Sequence, residues 1–171
     1  DLTGADLRWQ INDQTLLTAE IAQTNSIVGT EETRGKAHSV ELEHNGERID
    51  VRAFMREVED SYGLGYQAAA DSGIRRLGID ARGQVGERVF VEGEAGWQQN
   101  LETRDIRNLA SARVRYELSG FTGSLGVTHA SDEFDSGESR TSDLAEIGVA
   151  QKVFDGRVTL RAMRNGASPD V

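Results

Sequence analysis

The side chains best suited to proton transfer or metal binding are three histidines, His38, His44 and His129, and no cysteine accompanies them. No pair of them has a His-x-x-x-His spacing, and without thiolates the usual zinc and iron–sulfur sets are excluded. Disulfide frameworks and cysteine nucleophiles are excluded on the same count. His129 precedes Ser131, Asp132 and Asp135, residue types from which a His–Asp general base is built. Its position predicts instead a polar strand end running into a solvated loop. His44 falls in a hairpin turn and is expected to be exposed. The acidic stretch SDEFDSGESRTSD (131–143) lacks the Asp-x-Asp-x-Asp-Gly spacing and distal glutamate of a calcium loop. Neither GLG (63–65) nor QVGE (84–87) has a phosphate-binding spacing. The chain is therefore read as a non-enzyme with no catalytic residue, metal ligand or cofactor.

Turn signals recur along the 171 residues: INDQ (11–14), HNGER (44–48), QVGE (84–87), LSGF (118–121) and FDGR (154–157). Asn-Gly and Asp-Gly favour tight hairpins because they tolerate positive φ. Between these turns lie longer polar stretches, TNSIVGTEETRG, DSYGLGYQAAADSG, NLETRDIRN and SDEFDSGESRTSD. Each period holds two strands, one tight turn and one longer loop, which is a hairpin array rather than a propeller blade. The alternation predicts ten strands, near 4–11, 15–24, 36–44, 48–58, 73–82, 88–99, 108–118, 121–130, 142–153 and 157–165. Short turns at every second connection place all tight turns at one end of the sheet and all longer loops at the other. The expected fold is a single all-β domain over 1–171, an antiparallel up-and-down meander.

The period-two pattern separates two faces. One carries Leu7, Trp9, Leu17, Ala19, Ile21, Val40, Leu42, Ile49, Val51, Ala53 and Met55, then Leu77, Ile79, Ala81, Val89, Val91, Ala95 and Trp97. Ala110, Ala112, Val114, Tyr116, Leu125, Val127, Ile147, Val149, Val158 and Leu160 complete it. The other carries Asp6, Arg8, Glu20, Glu41, Glu43, Glu117 and Arg161 together with Asp50, Arg52, Arg56, Asp80, Arg82, Glu92, Glu94, Arg113 and Arg115. Opposite charges facing one another across strands contribute about 0.2–1 kcal/mol per pair.

An apolar sheet face needs either a second protein layer or lipid. Three observations favour lipid. Strands near nine to eleven residues suit a tilted bilayer crossing. The loop parity matches outer-membrane barrels. Trp9, Tyr116 and Phe121 lie toward the tight turns and Trp97 toward the loop end, with Tyr62 and Tyr66 in a loop. No arginine occupies the middle of the apolar face, where it would cost about 2–4 kcal/mol in a bilayer. No apolar run is long enough for a membrane-spanning helix. The net charge of -10 and pI near 4.8 argue against a nucleic-acid partner, which requires a basic surface.

The runs GADLRWQINDQTLLTAEIAQT, KAHSVELEHNGERIDVRAFMRE and GIRRLGIDARGQVGERVFVEGEAGWQQNL resemble outer-membrane β-barrel regions of large, repeat-rich proteobacterial surface proteins. The resemblance covers about Gly4 to Arg161. It implies a bacterial outer-membrane location, contact with membrane lipid, and a role in anchoring or displaying attached modules of the same polypeptide. It supplies no catalytic residues. Under this reading the strands form a transmembrane β-barrel or part of a larger one. Asp50, Arg52, Arg56, Asp80, Arg82, Glu92, Glu94, Arg113 and Arg115 would then line a polar, porin-like lumen for small solutes. The competing reading is a soluble all-β binding module whose long loops contact a partner.

Overall fold

The computed structural model describes residues 1–28, 31–64, 67–68, 72–154 and 156–170. Ten strands form one antiparallel sheet in which every strand pairs with its neighbours in the chain. They are β1 (Leu2–Asn12), β2 (Thr15–Val28), β3 (Glu31–Asn45), β4 (Ile49–Val58), β7 (Ile74–Val85), β8 (Val89–Asn100), β9 (Ile106–Leu118), β10 (Phe121–Glu133), β11 (Ser139–Val153) and β12 (Gly156–Asp170). Two dipeptide strands, β5 (Gly63–Leu64) and β6 (Gln67–Ala68), pair with each other inside the β4–β7 connection. The described residues contain no helix. The sheet is open, with β1 and β12 as its edges. All ten strands expected from the alternation are present, in the expected order.

The register keeps the two faces apart, with an irregularity between Gln10 and Asn12 of β1 next to the tight turn. One hydrogen-bonded row runs through Trp9, Leu17, Leu42, Ala53, Ile79, Ala95 and Ala110. The adjacent rows collect every other residue assigned above to the apolar face. A shift of one residue anywhere would have moved a whole strand's apolar set to the charged side.

The same row measures the stagger of the sheet. It continues to His129 and Asp143. Strand β1 ends at Asn12, three residues past Trp9, whereas β11 ends at Val153, ten residues past Asp143. The tight turns thus climb by seven residues over the eight strand-to-strand steps from β1 to β11. With a rise of about 3.4 Å per residue and strands about 4.8 Å apart, that stagger inclines the strands by about 30° to the line normal to the turns.

The far edge of the apolar band climbs in parallel. Its first polar residues are Glu57 in β4, Arg75 in β7, Gln99 in β8, Asn108 in β9, His129 in β10, Asp143 in β11 and Arg164 in β12. Between turn and edge, β8 presents Val89, Val91, Gly93, Ala95 and Trp97, and β9 presents Leu118, Tyr116, Val114, Ala112 and Ala110. Nine residues at that inclination span about 25 Å.

Burial is inverted relative to a soluble sheet. Leu125 and Ile147 are 59% and 55% exposed. Between them on the charged side Gly126 is buried, and the Glu146 side chain is only 12% exposed. No second layer covers the apolar face among the described residues; its large side chains, Leu7, Trp9, Ile79 and Leu160 among them, are open. The charged face is the concave one, since a single groove on it is lined by residues from β3 through to β12.

Several expectations need correction. The polar stretches taken as long loops are mostly strand: β2 runs to Val28 and β3 starts at Glu31, and the connections at 101–105 and 134–138 have five residues each. Polar residues there still pair across the ladder, as in Ser26 with Thr33, because backbone bonding needs no apolar side chain. Only 59–73 is long, so the loop asymmetry is much weaker than the sequence suggests. In the Asn45–Gly46 turn, Gly46 does not adopt positive φ, although Gly86 and Gly120 do in theirs (79° and 78°). Glycine is required at 46 for space, because a Cβ would lie 2.7 Å from the Ile49 carbonyl oxygen. Tyr66, Gly65 and Asp155 lie outside the described residues.

Candidate functional site

The concave face carries a ladder of alternating charge. Asp50, Arg82, Glu92 and Arg113 are successive hydrogen-bonded partners on β4, β7, β8 and β9. Glu146 on β11 and Arg161 on β12 extend it. Arg82 Nε donates to Asp50 Oδ2 at 2.8 Å. Arg113 lies 3.9 Å from Glu92 and 3.5 Å from Glu146, and Arg161 also bonds Glu146. Arg52 Nε donates to Glu41 Oε2 at 2.9 Å, and Ser111 donates to Glu94 at 3.0 Å. Solvent-accessible pairs of this kind contribute at most about 1 kcal/mol each. Their main effect is to fix long side chains against the sheet in a wet groove.

Glycines within the strands make room for those side chains. Arg113 reaches Glu146, two strands away, by lying over Gly126, whose missing Cβ would stand 3.5 Å from Arg113 Nε. Phe54 folds over Gly78 in the same manner, with its ring 2.5 Å from where a Cβ would be, and the Arg52 guanidinium sits 5.2 Å from that ring. Overpacking typically costs about 1–3 kcal/mol. Gly78→Ala should therefore lower the urea midpoint of unfolding, and Phe54→Leu in the same chain should remove most of that loss. An undiminished loss in the double variant would contradict this packing.

Seven of the nine expected groove residues, Asp50, Arg52, Asp80, Arg82, Glu92, Glu94 and Arg113, line one continuous groove. Arg115 stands beside it, stacked 4.8 Å from the Phe90 ring and 3.0 Å from Glu117. Arg56 lies further toward the long-connection end, between Ser39 and Arg76 in the register. Glu146 was not singled out from the sequence, yet it joins Arg113 to Arg161. Its place between Ala145 and Ile147 in the alternation was the available signal.

The histidines are placed differently from expectation. His44 is in β3 rather than in the turn, on the apolar face, with Nδ1 2.9 Å from Thr15 Oγ1. His129 does meet an aspartate, Nδ1 to Oδ1 at 2.7 Å, but it is Asp143 of β11 and not Asp132 or Asp135. That pair lies on the convex face at the polar edge of the apolar band, away from the arginine–carboxylate groove. Among the described residues no three His, Asp or Glu side chains converge as a metal site.

At the long-connection end the groove is covered by the chain itself. Ala22, Ala37, Val58 and Ile74 form an apolar row on the concave face. Over this end the start of the β4–β7 connection folds inward. Ser61 Oγ donates to the Arg34 carbonyl at 2.6 Å, the Gly63 amide donates to Thr24 Oγ1 at 3.2 Å, and Glu59 Oε2 accepts from the Lys36 amide at 2.8 Å. Val58 and Thr24 are 1% and 2% exposed, the deepest side chains described. The groove thus has an open tight-turn end and a packed knot at the other.

Comparison of the chain with family models and with curated proteins finds no match.

Proposed function

We propose that this chain is wall of a bacterial outer-membrane β-barrel, complete or as part of a larger one, with its convex face in lipid and its charged face toward a hydrated interior. Its role is to anchor or display attached modules of a surface protein, and the interior offers a polar path for small solutes. The observation that carries the reading is the oblique apolar band. Its two edges climb together across the sheet, its height stays near 25 Å, and no second layer covers its large side chains among the described residues. A bilayer requires a band of constant height on the outside of tilted strands, whereas a sandwich requires a covering sheet. Loop length does not carry the reading, since only one connection is long.

Dilution of the urea-unfolded chain into short-chain phospholipid vesicles should give β structure and a band whose gel mobility changes on heating. Dilution into buffer alone should give aggregate. A monodisperse, folded monomer in plain buffer would contradict the proposal and favour a soluble binding module.

A further inference from the structure

Near the tight turns the concave face changes character. There β10 and β11 present the small side chains Thr122, Ser124, Gly148 and Ala150 as paired residues side by side, with Lys152 beyond them at the turn. Arginines flank this floor on both sides: Arg115 on β9, and Arg157 and Arg161 on β12. β9 and β12 are three strand spacings apart, about 14 Å, which two extended arginine side chains can close around one small ion. At Gly148 a Cβ would lie 2.6 Å from Ser124 Oγ, so glycine keeps that hydroxyl over the floor.

The charge balance of this bowl opposes that of the molecule. Four guanidiniums line it, those of Arg113, Arg115, Arg157 and Arg161, against the carboxylates of Glu92 and Glu146 and of Glu117 beside Arg115, in a chain of net charge -10. Glu146 is taken by Arg113 and Arg161. Arg115 Nε is buried without a hydrogen bond, because Glu117 Oε1, although 3.0 Å away, lies off its N–H axis. Arg157 donates to Thr122 Oγ1 at 3.4 Å and has no carboxylate within ion-pair distance among the described residues. The bowl therefore has Arg157 reaching over its floor toward Thr122 from one wall, and from the other Arg115, stacked on Phe90 and paired with Glu117 but with its Nε–H unbonded.

We propose that this bowl binds a small tetrahedral dianion, phosphate or a phosphate monoester, with Arg115 and Arg157 on opposite sides and two hydroxyls donating to it, those of Ser124 and of Thr159, which lines the bowl from β12 opposite Ala150. Guanidinium forks match phosphate oxygens in geometry as well as charge, and the guanidiniums outnumber the carboxylates around the bowl, Glu117 included. The site uses only the concave face, so it stands whether that face is a membrane-protein interior or a soluble groove.

The test is titration calorimetry of the full chain, folded in detergent at low ionic strength, with inorganic phosphate. Saturable binding is expected, weakened by about tenfold or more in Arg115→Gln and in Arg157→Gln, since each removes a charge-assisted hydrogen bond. Arg34→Gln, an exposed arginine paired with Glu32 at the far end of the sheet, should leave the affinity unchanged, and Arg157→Lys should retain part of it. Circular dichroism checks that each variant is folded. Glycerol phosphate binding as well as phosphate identifies a soluble ester as the ligand class, and tighter binding of short-chain phosphatidic acid identifies a lipid headgroup. Phosphate binding no tighter than chloride, or unchanged in folded Arg115→Gln and Arg157→Gln, overturns the proposal.

Discussion

Ala112→Arg should prevent most of the chain from folding into vesicles, while Ser111→Arg, one residue earlier, should fold like the parent. Ala112 sits inside the apolar band of the convex face, between Gly93 and Val127 in its row. An arginine near mid-bilayer costs about 2–4 kcal/mol, enough to shift a folding equilibrium by well over tenfold. Ser111 points into the groove, where its hydroxyl already donates to Glu94 at 3.0 Å. An arginine there exchanges that bond for an ion pair, a change within about 1 kcal/mol. The folded fraction of each variant, read from heat-modifiable gel mobility, provides the comparison. In water Ala112 is exposed and Ser111 half-exposed, and both substitutions would be nearly neutral. Equal tolerance would thus exclude lipid contact at Ala112.

Gly35→Ala should release the inward-folded segment from the sheet. A Cβ at Gly35 would run into the Ser61–Tyr62 backbone, which cannot turn aside as a flexible side chain can. Overpacking of this kind costs about 1–3 kcal/mol. The cost falls on bonds made by that segment: Ser61 to the Arg34 carbonyl, Tyr62 to the Glu59 carbonyl, and Gly63 to Thr24. Hydrogen exchange at the Tyr62 and Gly63 amides should quicken by about tenfold or more, with the amides of β9 to β11 unaffected. Unchanged exchange at Tyr62 would show that the segment does not rest on Gly35.

The strands and their faces were legible because period-two alternation is a local signal that pairing then enforces. Every residue assigned to a face from Leu7 to Leu160 lies on that face in the register. Strand ends were not legible. Thr24 to Val28 and Glu31 to Gly35 alternate no apolar residues, yet their backbones pair fully. The polar edge of the apolar band was also hidden. His129, Asp143 and Arg164 share the face of Val127 and Ile147, which only the stagger of the turns explains. The packed knot left a trace that alternation alone did not decode. Ala22, Ala37, Val58 and Ile74 are apolar at positions whose parity belongs to the charged face, so something had to cover them. The groove's individual ion pairs depend on diagonal reach across Gly126, which no one-dimensional pattern encodes.

Whether the convex face meets hydrocarbon, as proposed, can be read from the chain's own two tryptophans. Trp9 and Trp97 both lie on that face, Trp9 three residues from its tight turn and Trp97 eight residues from its own. In vesicles made from phospholipids brominated on the acyl chains, their fluorescence should be strongly quenched, and aqueous iodide should quench it little. Emission unaffected by bromolipid but quenched by iodide would mean that the face meets water, and the barrel-wall account would fail.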